Sequence, residues 1–200
     1  MTSRREFLQT AALAALPAIA VASRTGAATP AINPTGADFH VVLFDARHPH
    51  ARSVAARISR AGAPVHGLVD GDITQVWLQE IGPAWQRGPV VVAGLTARPA
   101  LFCLEQLALS SGLRVVFHAE HVVRLDGRTE HSLLRGAEDL RLSSSDLRRA
   151  GQHWPARIAD ALATYRPHAA RQRLGRSDAA LEPALPPGAQ FLTSWIIAAA

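Results

Sequence analysis

The sequence predicts one α/β domain built on a mainly parallel sheet, and three observations carry that expectation. Short apolar runs rich in Val, Leu and Phe begin near residues 39, 64, 89 and 112, and the segments between them space their apolar residues as a helix does. Those segments are long enough for the crossover of about a dozen residues that joins parallel strands. Past residue 118 the pattern changes to an antiparallel hairpin and a last apolar run.

Each element has a local reason. Residues 39–44 (Phe-His-Val-Val-Leu-Phe) read as a buried strand, and residues 50–60 place Ala51, Val54, Ala55 and Ile58 on one helical face before Gly62 stops the helix. Residues 64–69 read as a second strand. Asp72 is positioned to cap a helix lined by Ile73, Val76, Trp77 and Ile81, which Pro83 is expected to close. Residues 89–93 read as the third strand, followed by Gly94, Leu95 and Thr96 and then a strongly apolar helix through Leu109. Residues 112–117 form the fourth.

Residues 121–125 and 129–134 flank Asp126-Gly127 as the arms of a hairpin. Ser143, Ser144, Ser145 and Asp146 offer caps for a helical stretch interrupted at Pro155 and resumed through Tyr165. Residues 166–188, rich in Arg, Pro and Ala, are expected to wrap the surface, and residues 191–197 to form a terminal strand returning to the hairpin edge. The sum is a three-layer sheet of about four βα units, flavodoxin- or Rossmann-like, with right-handed crossovers, an antiparallel hairpin and a C-terminal strand.

Ahead of this domain, Ser3-Arg4-Arg5-Glu6-Phe7-Leu8 precedes an Ala- and Leu-rich stretch that ends in the small residues Ala20-Val21-Ala22. The pair Arg4-Arg5, the following Phe7-Leu8 and the apolar stretch together resemble a bacterial twin-arginine export signal. The resemblance implies passage of the folded protein through the twin-arginine translocase into the periplasm, with cleavage after Ala22 and Ala28 as a later alternative. The apolar stretch is shorter than the roughly 20 residues a spanning helix needs, and Pro17 interrupts it, so no membrane span is expected after cleavage. Residues 1–22 are thus assigned as the signal, 23–38 as a flexible lead and 39–200 as the domain.

Composition narrows the function classes. With 48% hydrophobic and 18% charged residues the chain can bury a core. All 21 basic residues are arginine, spread without a dense run, and the net charge is only +5, which does not favour a nucleic-acid partner. Cys103, the one cysteine, excludes an intramolecular disulfide and is expected to act as a small buried hydrophobe.

In an open parallel sheet the ligand crevice lies outside the carboxyl ends of the strands. The residues expected there are Asp45, Arg47, His48 and His50 after strand one, Asp70 and Asp72 after strand two, Gly94 and Thr96 after strand three, and His118, Glu120 and His121 after strand four. Asp45, His48, Asp70 and His118 are the candidates for acid–base work, and Arg47, Asp72, Thr96 and Glu120 for holding a ligand. The bland alternatives are that Asp72 and Thr96 cap helices, that Asp45 ends its strand and that His48 and His50 flank Pro49 in an exposed loop.

His118 and Glu120 face one side of a strand and His121 the other; two same-side ligands do not make a zinc site, and a third from His48, His50 or Asp70 lacks diagnostic spacing, so no metal is assigned. No Gly-x-Gly-x-x-Gly, phosphate-binding Gly-Lys-Ser/Thr loop or Gly-x-Ser-x-Gly elbow is present, so no cofactor is named. The expectation is an exported small-ligand-binding or accessory protein with a small ligand or periplasmic protein as partner. The alternative is a small periplasmic enzyme, a hydrolase or metal-assisted, with its site at that rim.

Overall fold

The structure, a computed structural model, describes residues 38–167 and 187–199, all within one unit spanning 33–200. The export signal, most of the lead and most of the expected surface wrap lie outside the described residues. The elements in order are β1 (Phe39–Asp45), α1 (Pro49–Arg60), β2 (Val65–Leu68), α2 (Thr74–Val76), a π-helical turn (Trp77–Ile81), α3 (Gly82–Arg87), β3 (Val91–Thr96), α4 (Arg98–Ser110), β4 (Leu113–Val123), β5 (Thr129–Arg135), α5 (Ser144–Ala150), a 3-10 turn (Gly151–His153), α6 (Trp154–Thr164) and β6 (Gln190–Ala199).

The fold is a mixed α/β arrangement around a six-stranded mixed sheet in the order β2-β1-β3-β6-β4-β5. β1 pairs in parallel with β2 and β3, whereas the β3–β6, β6–β4 and β4–β5 pairings are antiparallel. The terminal strand does return to the hairpin, lying along its β4 arm, but the expected edge position and mainly parallel sheet are corrected: β6 also pairs with β3, in the middle of the sheet, and three of the five pairings are antiparallel. The reason is burial on both faces. Leu192 to Ala198 are all buried, and a strand apolar on both sides finds two covered faces only in the middle of a sheet. Because β6 runs against both neighbours, β3 and β4 still point the same way, as the helical crossover requires.

Alternate side chains of the strands feed two apolar clusters. Val42, Ala93, Leu95 and Ile196 meet Val54 and Ile58 of α1 and Trp154, Ile158 and Leu162 of α6. Val41, Leu43, Val92, Trp195 and Ile197 meet Ile81, Trp85 and, from α4, Leu101 and Leu104. Gly94 is required at the junction of the two halves. A Cβ there would come within 2.6 Å of the Trp195 ring and 2.8 Å of the Leu43 carbonyl oxygen.

Several boundaries differ from the sequence reading. Pro83 does not close the second helix; it occupies the first turn of α3, where its missing N–H is not needed, after a π-helical turn in which the Gly82 N–H reaches the Trp77 carbonyl. The fourth strand and the first hairpin arm are one strand, β4. The third strand runs on through Thr96. The break expected at Pro155 falls instead at Gly151, and Pro155 serves in the first turn of α6. Ser143 caps α5 as expected, accepting the Asp146 N–H. Cys103 is exposed, a further correction: α4 turns Ala100, Leu101, Leu104 and Ala108 inward and leaves Phe102 and Cys103 outside. No helix among the described residues is long and apolar enough to cross a membrane.

Candidate functional site

Two polar clusters occupy the sheet near the carboxyl ends of β1 and β3, and both involve β6. The first grows from the end of β1. The Asp45 side chain is fully buried, and Arg47 forks onto it, Nε to Oδ1 at 3.0 Å and Nη2 to Oδ2 at 2.8 Å, while the Arg47 backbone N–H also donates to Oδ1. His48 Nε2 stands 3.8 Å from Oδ2, and its Nδ1 meets Gln190 Oε1 of β6 at 3.1 Å. Burial alone would raise the Asp45 carboxyl's pKa; the bonds from Arg47 and the nearby His48 outweigh it and hold the carboxyl below the usual range.

The turn after β2 closes this cluster. Asp70 and Gly71 are both left-handed, and the Gly71 backbone approaches so near that a Cβ would lie 3.3 Å from Arg47 Nη2. Asp70 and Asp45 together raise the Arg47 pKa, with the Asp45 bond the larger cause. The structure thus brings together Asp45, Arg47, His48 and Asp70. Asp72 is not the N-cap of α2, a position Ile73 holds, but sits one residue ahead of it and accepts the Thr74 N–H at 2.8 Å.

The other expected rim residues are placed differently. Thr96 is fully buried and is not a helix cap: its hydroxyl accepts the Trp195 indole N–H at 3.0 Å, its carbonyl accepts the Thr193 hydroxyl, and α4 is preceded by Ala97. His118 is mid-strand, level with Gly94 across Trp195, and so short of the rim. It shares a face of β4 with Glu120, Nε2 to Oε1 at 4.0 Å. Burial first, then Arg98 and Arg135, push its pKa down to about 4. His48 and His50 are not loop residues: His48 is the N-cap of α1 and His50 lies in its first turn against Trp154, ring centroids 5.2 Å apart.

The second cluster is one the sequence did not reveal. His121 of β4, on the face opposite His118, is completely buried, with its Nε2 2.8 Å from Ser194 Oγ of β6 and its Nδ1 2.8 Å from His131 Nδ1 of β5. Three strands therefore contribute one row: Ser194, His121, His131. The Trp154 ring stacks on His121 at 4.5 Å and meets His131 edge-on at 5.3 Å. Burial, then His131, His118 and His50, holds His121 well below the ordinary histidine range; burial and Arg148 push His131 down to about 4.

Chemically, the row has the elements of a nucleophile, a base and an orienting group at hydrogen-bond distance. Ser194, His121 and Trp154 are fully buried, so the arrangement as it stands offers the hydroxyl no route to a substrate. Among the described residues no group of three His, Cys, Asp or Glu side chains is placed to hold a metal ion. That covers Glu80 as well, which His40 and His66 face at 4.0 and 3.9 Å.

No family model, no curated protein and no solved structure matches the chain.

Proposed function

We propose that this is an exported periplasmic accessory or small-ligand-binding protein whose ligand meets the rim at Arg47 and Asp70, with Asp45 and His48 behind them. The observation that carries the reading is the closure of both polar clusters. Asp45 is occupied by Arg47, and both ring nitrogens of His121 are occupied by Ser194 and His131. A general base must reach the proton it removes, and these groups are already spent on one another. Arg47, whose side chain is 48% exposed, and the exposed Asp70 are left as outward-facing groups of the rim. The motif at Arg4 and Arg5 supports export by the twin-arginine translocase, and helices against both faces of the sheet support a three-layer arrangement of flavodoxin- or Rossmann-like kind.

A second reading, a periplasmic hydrolase, is favoured by one observation, the Ser194–His121–His131 row, and requires Trp154 to move aside. Native mass spectrometry with metal analysis, on protein purified after export by its own signal, separates the two. The binding reading expects a chain cleaved after Ala22 carrying a small molecule or a protein partner. An empty chain that hydrolyses activated esters, and loses that activity in Ser194→Ala, overturns it in favour of the enzyme.

A further inference from the structure

We propose that the His121–His131 pair is an acid-opened latch that holds the edge strand β5, and the Trp154 end of α6, against the sheet. The argument starts from the facing Nδ1 atoms, 2.8 Å apart. Two imidazole nitrogens at that distance share one proton, one donating and the other accepting. Either direction of sharing suits Ser194, whose hydroxyl donates to a bare His121 Nε2 or accepts from a protonated one. One additional proton on the pair is tolerated, because His121 with both nitrogens protonated donates to His131 and to Ser194. Protonating both rings is not, since N–H then faces N–H and two positive charges stand in contact.

The surroundings give such charge no relief. The groups that bear on His121 are His50 at the start of α1, with His48 beside it, His118 on β4 itself and His131 on β5; Arg148 of α5 bears on His131. All are cationic or become so on acidification. β6 contributes only the Ser194 hydroxyl, and α6 the Trp154 ring. Burial and Arg148 push the His131 pKa down to about 4, and the second proton of the pair, opposed by the charge of the first, binds at still lower pH.

What parts when the pair separates follows from the topology. β5 is an edge strand, paired to β4 alone, and none of its residues is fully buried. Besides the ladder it is held by Leu133, half-buried against the core, by Arg135 to the Val115 carbonyl and by the exposed Arg124–Glu130 pair. Trp154 covers the pair by packing only: its indole Nε1 is buried without a hydrogen-bond partner among the described residues. The latch therefore joins an edge strand to the start of α6, and its release uncovers His121 and Ser194. It operates whichever reading of the rim holds.

Hydrogen exchange on the full-length protein from pH 6.5 to about pH 3, normalised to intrinsic rates, tests this. Protection of the amides of residues 129–135 is expected to fall about tenfold or more while β1 and β3 keep theirs, and His131→Gln is expected to remove the fall. The exposed His153→Gln is the control and leaves the response in place. Protection of β5 that persists to about pH 3, a simultaneous loss in all strands, or an unchanged fall in His131→Gln overturns the latch. Should His131→Gln not fold, imidazole nitrogen NMR of the unsubstituted protein decides: opening of β5 must coincide with the second proton of the pair, and titration of both rings without it refutes the proposal.

Discussion

The two halves of the sheet treat polar residues in opposite ways. In the parallel half, β2-β1-β3, polar side chains gather at the strand ends, where Asp45 is buried but its partner Arg47 reaches solvent. In the antiparallel half, β6-β4-β5, they lie in mid-strand, and Ser194, His121 and His131 satisfy one another beneath Trp154. The difference follows from connectivity. Parallel strands joined by helices leave loops and helix N-termini at one edge, a natural place for polar groups. Antiparallel neighbours bring side chains from distant parts of the chain opposite one another along their whole length, so a buried polar row needs no loop.

The strand that joins the halves should carry the largest effect. Trp195→Ala removes a fully buried ring packed against Gly94 and orphans the Thr96 hydroxyl, and is expected to cost about 3–5 kcal/mol in urea unfolding. A loss below 1 kcal/mol would mean the halves are not held by β6.

Acidification should act next, and mainly on the antiparallel half. The folded His118 and His131 transitions lie at about 4, below the ordinary 6.5, so between those values the unfolded chain binds protons the folded chain refuses. Stability is thus full above pH 6.5 and falls as pH drops toward 4. Each group contributes at most about 3 kcal/mol, less after solvent screening of partly exposed rings. Urea midpoints at pH 7, 5.5 and 4.5 check the sign; a midpoint that rises on acidification refutes it.

A smaller effect sharpens the comparison within the buried row. Ser194→Ala leaves His121 Nε2 without its partner and is expected to cost about 1–3 kcal/mol. Ser194→Ala combined with His121→Phe should cost less than the two single changes added, because the orphaned nitrogen is then gone. Strict additivity would show that the row is not a unit.

Much of the parallel half was legible. β1, α1, β2 and α4 follow from apolar spacing, and the convergence of Asp45, Arg47, His48 and Asp70 follows from the rule that strand ends share a rim. The antiparallel half was legible as elements but not as a site. A two-residue turn at Asp126-Gly127 would set His121 opposite Ser132. Instead the Arg124 N–H donates to the Arg128 carbonyl, Gly127 turns left-handed, and the register slips by one so that His121 faces His131.

Local patterning by itself determined the element types, the two faces of β4 that separate His118 from His121, and the motif at Arg4 and Arg5. Those depend on residues within a turn or two of one another. The tertiary structure alone decided that β6 enters the sheet between β3 and β4, and hence that Ser194 meets a histidine 73 positions away. The physical reason is that strand order is a contest of burial among all the strands at once, and a run apolar on both faces states only that it must be covered, not by which neighbours.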